Sequence, residues 1–169
     1  MALKNNRRLW LAAMLSTASV LCQAADLTPE TRYAGITVGN SVATISQIGS
    51  YNKTQVDQSG AAQRLFQSQV GFRNQAAINQ GSGNNSISAA QEGAYNSLQI
   101  NQSGSHNQAG VVQQGTANLA SVVQQGAYNQ ALVGQYGQAN QATVDQSGFG
   151  GTVSITQHGN NMSANATQR

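Results

Sequence analysis

From residue 41 onward, apolar side chains recur in pairs two positions apart: Ala76 and Ile78, Leu98 and Ile100, Ala109 and Val111, Ala120 and Val122, Ala131 and Val133, Ala142 and Val144. A spacing of two puts both members of a pair on one face of an extended strand, whereas a helix needs spacings of three or four. The pairs return every eleven residues. An eleven-residue period also suits a right-handed helical supercoil, but a Gly in nearly every unit would cost a helix about 1 kcal/mol each time. The pattern predicts strands.

The polar residues keep the same period. Gln stands at 47, 58, 69, 80, 91, 102, 113, 124, 135, 146, 157 and 168, without a gap: Gln47, Gln58, Gln69, Gln80, Gln91, Gln102, Gln113, Gln124, Gln135, Gln146, Gln157 and Gln168. Two residues later come Gly49, Gly60, Gly71, Gly93, Gly104, Gly115, Gly126, Gly137, Gly148 and Gly159, with Ser82 the one departure. Five residues after the Gln come Asn52, Asn74, Asn85, Asn96, Asn107, Asn118, Asn129 and Asn140, with Gln63, Gly151 and Met162 breaking the row. The unit is N-x-A-x-V-x-Q-x-G-x-x.

This unit predicts twelve seven-residue strands, from residues 41–47 (SVATISQ) to 162–168 (MSANATQ), joined by four-residue loops such as IGSY, SGSH and QGTA. The Gly at the second loop position supplies the positive φ of a tight reversal. Because every strand must turn the same side chains inward, the chain should coil and not form hairpins. The expected fold is all-β: a β-solenoid of about six 22-residue rungs over residues 41–169, with two parallel sheets face to face. Sheets of this kind lie about 10 Å apart, with strands about 4.7–4.9 Å from one another.

Ordering one such rung costs about 20–40 kcal/mol of conformational entropy at about 1–2 kcal/mol per residue, more than its few methyl groups return. Only stacking makes the rung stable. Stacking sets each Gln and Asn over its counterpart one rung away, so that buried amides bond along the axis in ladders; unpaired, they would be costly. Outward positions carry Lys53, Arg64, Gln75, Gln108, Gln130 and Gln141 in one row and Asp57, Asn79, Asn101 and Asp145 in another. The terminal rungs are expected to present open strand edges, since residues 25–40 (ADLTPETRYAGITVGN) show no helical pattern that would cap them.

The start of the chain has a different character. Lys4, Arg7 and Arg8 precede an apolar run from Leu9 to Leu21, and Cys22 and Ala24 provide the small residues of a cleavage site. Residues 1–24 therefore read as an export signal, too short in its apolar part to span a membrane. Its three cations account for the whole net charge of +3. In the remainder, Arg32, Lys53, Arg64, Arg73 and Arg169 balance Asp26, Glu30, Asp57, Glu92 and Asp145, so no basic surface is left for nucleic acid. The single Cys departs with the signal, leaving no disulfide framework.

Little here points to catalysis. His106 and His158 are placed in loops of different rungs, away from any carboxylate cluster, so neither a metal site nor an acid/base pair is expected. The Gly residues form no phosphate loop, and no cofactor is implied. Tyr51, Tyr95 and Tyr128 share the loop position before the Asn, with Phe72 and Phe149 one place earlier, and are expected to pack along the axis. A monomeric solenoid that binds ice or carbohydrate is the main rival, but the outward row Lys53, Arg64, Gln75, Ser86, Ser97, Gln108, Leu119, Gln130 lacks the uniformity of an ice-binding face.

The recurrence of Gln, Gly and Asn in 22-residue strand–loop–strand units, as in QEGAYNSLQINQ (residues 91–102) and QQGAYNQALVGQ (residues 124–135), resembles the curlins, the subunits of bacterial curli fibres. The resemblance covers residues 41–169, although six repeats stand where the family commonly shows five. It implies an exported subunit that leaves through an outer-membrane pore and polymerises at the cell surface into an extracellular amyloid fibre of biofilm and adhesion. By position, residues 25–40 resemble the segment that engages the secretion pore. The partners implied are further copies, the other curli subunit, the pore with its cell-surface assembly factors, and host or matrix surfaces. The ending Thr167-Gln168-Arg169 and the irregular last unit, with Gly151, Met162 and Ala166, resemble the minor, nucleating curlin more than the major one.

Overall fold

The computed structural model describes residues 40–169. The expected signal at 1–24 and all but the last residue of the 25–40 segment lie outside the described residues. From Val42 the strand pattern is uninterrupted: β1 (Val42–Ser50), β2 (Lys53–Gln58), β3 (Arg64–Phe72), β4 (Gln75–Gln80), β5 (Ser86–Ala94), β6 (Ser97–Ser105), β7 (Gln108–Thr116), β8 (Leu119–Ala127), β9 (Gln130–Gln138), β10 (Gln141–Phe149), β11 (Thr152–Asn160) and β12 (Ser163–Gln168). Odd strands form one six-stranded sheet in the order β1-β3-β5-β7-β9-β11, and even strands form a second, β12-β10-β8-β6-β4-β2.

Every pairing is parallel and offset by one whole repeat, so like lies on like: Gln47 pairs with Gln69, Gln91 with Gln113, Gln102 with Gln124. The chain is a β-solenoid of six rungs, each a strand from either sheet. The period-two pattern decides which face is covered. Leu98 and Ile100 of β6, Ala109 and Val111 of β7, and their buried equivalents in other rungs form one continuous core, each at most 8 % exposed, with Ala43, Val56, Val153, Ala164 and Ala166 of the end rungs packed partly buried against it. From Gln69 to Gln157, the Gln and Asn of the repeat flank that apolar strip and are as buried as it is.

The strands are longer and the corners shorter than the sequence predicts. Most strands run nine residues, through the Gly and one residue beyond. The reversal then falls on two residues, for example Ala117 and Asn118 between β7 and β8. Its left-handed residue is the one before the Asn and is seldom Gly: Tyr95 (φ 58°), His106 (58°), Ala117 (57°) and Tyr128 (60°). A non-Gly residue in that conformation costs roughly 1–2 kcal/mol. Here its N–H is fixed by the rung before, as in Ala117 N to Ala94 O at 2.9 Å and Tyr95 N to Phe72 O at 3.0 Å.

The second rung departs from the pattern. Gln67 takes the place of the core Val or Ile, between Ile45 and Ala89, and is 3 % exposed. Neither atom of its amide has a hydrogen-bond partner. Gln63, in an Asn position, reproduces that residue's two donations, to Ser59 O at 3.2 Å and Ser82 O at 2.7 Å. Its Oε1 is left without a partner.

Candidate functional site

Two amide ladders run the length of the solenoid, one from each sheet. In the first, Nε2 of each Gln donates to Oε1 of the Gln one rung later: Gln47 to Gln69 at 2.6 Å, Gln69 to Gln91 at 2.7 Å, Gln91 to Gln113 at 2.8 Å, Gln113 to Gln135 and Gln135 to Gln157 at 2.9 Å. In the second the bonds are Gln58 to Gln80 at 2.7 Å, Gln80 to Gln102 at 3.1 Å, Gln102 to Gln124 at 2.7 Å, Gln124 to Gln146 at 2.9 Å and Gln146 to Gln168 at 3.1 Å. All ten bonds point the same way along the axis. Most interior Gln also cross to the opposite sheet, as when Gln91 Nε2 donates to Gln75 O at 3.1 Å. These second bonds satisfy amides that would otherwise make burial unfavourable.

The Asn residues and the Gly residues work together at the corners. Asn107 Nδ2 donates to Ser103 O in its own turn at 3.1 Å and to Gly126 O in the next rung at 3.0 Å. Its Oδ1 accepts the N–H of Asn129 at 3.1 Å. Gly104, with φ 96°, lies directly beneath that Gly126 carbonyl, and a Cβ at residue 104 would fall on it. Gly here answers two demands, a positive φ and a close approach of the next rung. All ten Gly singled out from the sequence have positive φ, between 96° and 132°. Seven of the eight Asn are buried and Asn52 is partly so; Gly151 holds the corresponding place in the last rung, where its missing side chain makes room for the Gln168 amide.

The aromatic row expected from the sequence divides between opposite corners. Tyr51, Phe72 and Tyr95 pack edge to face at 5.5 and 5.6 Å. Arg73, which occupies the slot between the two Tyr, sets its guanidinium 5.0–5.8 Å from all three rings. Tyr128 belongs to the other corner, where it stacks on His106 at 4.7 Å and meets Phe149 at 5.2 Å. The repeat itself places this cation, since Arg73 is 22 residues from both Tyr51 and Tyr95. His158 is not in a loop: it stands in β11 on the outer face, stacked on Tyr136 at 4.6 Å. The outward row read from the sequence is likewise two rows, Arg64, Gln108 and Gln130 on the first sheet and Lys53, Gln75 and Gln141 on the second. Among the described residues no three His, Cys, Asp or Glu side chains come together as a metal site would require.

Parallel strands in register, with buried identical amides bonded along the axis, define a two-sheet solenoid of cross-β type. The curlin associated repeat matches the chain three times, over residues 93–126, 115–148 and 126–159. Residues 93–159 thus carry curlin associated repeats. No curated protein and no solved structure matched it.

Proposed function

We propose that this chain is the subunit of an extracellular curli-type amyloid fibre, growing head to tail, and that it serves as the minor subunit that nucleates the fibre at the cell surface. The observation that carries the proposal is the single direction of the ladders. Among the described residues, they begin with the Oε1 atoms of Gln47 and Gln58 on one end face and finish with the Nε2 atoms of Gln157 and Gln168 on the other. A second copy stacked in the same sense continues both ladders, donor to acceptor, and pairs the open edges of β11 and β12 with β1 and β2. The role is structural and not catalytic.

The nucleating role draws support from the last rung. There Gly151 and Met162 replace Asn, Ala166 replaces Val or Ile, and Met162 is 40 % exposed. A rung that stacks less well is suited to stay against a membrane or an assembly factor while the regular rungs template incoming chains. The major-subunit reading is favoured by the regularity of the other ten strands, which would propagate a fibre equally well. Seeding purified major subunit with this protein, intact and truncated after Ser147, separates the two. The nucleator shortens the lag when intact and loses cell attachment when truncated; an intact protein without effect on the lag refutes the role.

A further inference from the structure

The two outer faces of the solenoid are not alike. Val42, Ile48, Phe66, Val70, Val112 and Leu132 are all between 37 and 62 % exposed, and all lie on the outer face of the first sheet. On the second sheet Leu119 is the comparable residue, apart from Phe149 at a corner. Strand alternation does not require this asymmetry, and these side chains stand among polar ones in the outward rows, separated at the third rung by Ser86, Ser88, Ala90 and Glu92.

The face is also flat. Gly110 and Gly134 stand at outward positions in mid-strand, without positive φ. Large neighbours lie down across them: a Cβ at residue 110 would meet Leu132 Cδ2 at 2.9 Å, and one at residue 134 would meet Tyr136 Cε2 at 3.2 Å.

We propose that this face is where two copies, and hence two filaments, pair side by side about a two-fold axis parallel to the solenoid axis. The occupant follows from self-complementarity. Four outward rows run along the sheet, beginning at Val42, Thr44, Ser46 and Ile48. A two-fold along the axis brings the first row against the fourth and the second against the third, rung by rung. Phe66 then meets the small Ser68, while Val112 and Leu132 meet the level surface that Leu132 and Tyr136 make over Gly110 and Gly134. At the margin Val42 meets Ile48.

Charge agrees with this register. Arg64 opens the second rung of the first row, and Glu92 closes the third rung of the fourth. Within one chain they lie about 20 Å apart, six residues along the strand at about 3.3 Å each. Across the two-fold, Arg64 of one copy stands one rung from Glu92 of the other, within reach of its side chain, and symmetry makes the contact twice. Glu92 retains a free carboxylate oxygen, since Gln114 Nε2 donates to Oε2 alone at 3.1 Å. Six strands of seven residues offer roughly 600 Å² per copy, about the lower bound of a specific interface, and a fibre repeats that contact at every subunit.

The pairing rests on the fibre reading only for its repetition along the axis, so elongation and pairing are read separately, by thioflavin kinetics and by mass per unit length in scanning transmission microscopy. Wild-type fibres are expected to carry about twice the mass per length of one filament, as two-fold pairing requires. Val112→Lys with Leu132→Lys is expected to halve it while elongation continues, and Leu119→Lys on the other face to leave it unchanged. Arg64→Glu should also unpair the filaments, and Arg64→Glu with Glu92→Arg should pair them again. Single-filament mass in the wild type, pairing insensitive to the first-sheet variants, or loss of pairing in Leu119→Lys overturns the proposal. If the protein forms no fibres, the fibre reading fails and sedimentation equilibrium decides the pairing: a dimer abolished by Arg64→Glu supports it, and a monomer overturns it.

Discussion

Gln102 and Gln124, one rung apart, are both fully buried and joined by a bond of 2.7 Å from Nε2 of the first to Oε1 of the second. Gln102 at the same time accepts from Gln80 at 3.1 Å. A carboxylate could keep the second bond but not the first, because it has no proton to donate. Gln102→Glu therefore sets two acceptors against each other in a dry interior, at a cost of about 1–3 kcal/mol for the unpaired group and more for the charge. Gln108→Glu, on the exposed side of β7, should have little effect. Denaturant unfolding and assembly lag measure both; equal effects would mean that the inner and outer faces are misassigned.

Asn107→Ala removes the side chain that holds the Ser103 and Gly126 carbonyls and the Asn129 N–H. Each group left unpaired costs about 1–3 kcal/mol. The expected outcome is a large fall in the unfolding midpoint, with hydrogen exchange accelerated first at Asn129, whose N–H loses its acceptor.

Gly159 offers a different test, because a Cβ there meets nothing nearer than Met162 Sδ at 3.5 Å within one copy. At the equivalent Gly137, the Gly159 carbonyl lies directly above. By the same repeat, the carbonyl above Gly159 is Gly49 of the next copy. Gly159→Ala should carry only the strain of positive φ in the single copy, about 1–3 kcal/mol, yet arrest growth at that end of the fibre. Watching labelled wild-type seeds, first exposed to the variant and then supplied with wild-type protein, by fluorescence microscopy checks this: one dead end and one growing end are expected, whereas growth at both ends would contradict stacking through this rung.

Gln67→Ile should stabilise the protein. It replaces a buried amide without partners by an apolar side chain flanked by Ile45 and Ala89. The gain expected from removing the unsatisfied groups is about 1–3 kcal/mol, seen as a higher unfolding midpoint.

The sequence made the period, the inward set and the parallel stacking legible because one repeat imposes all three: when residues 22 apart are alike and one face is buried, only like-on-like coiling keeps every Gln inside. Corner geometry was less legible. A Gly two residues after the Gln suggests that the turn begins there, but its conformation is set by the carbonyl of the next rung, and the strand runs on past it to residues such as Thr116. The left-handed position fell instead to Tyr95 or Ala117, whose N–H is held by the rung before. Pairwise features such as Arg73 among three rings, or Leu132 lying over Gly110, depend on which side chain stands one rung away, which a single repeat unit does not display.

The central claim is that copies stack head to tail and continue both amide ladders. Solid-state NMR on fibres grown from an equal mixture of ¹⁵N-labelled and ¹³C-labelled protein tests it most directly, through side-chain contacts that can arise only between molecules. The account predicts transfer from Nε2 of Gln157 to Cδ of Gln47, and from Nε2 of Gln168 to Cδ of Gln58. Transfer between Gln47 and Gln47 or between Gln168 and Gln168, as head-to-head stacking would give, would contradict it.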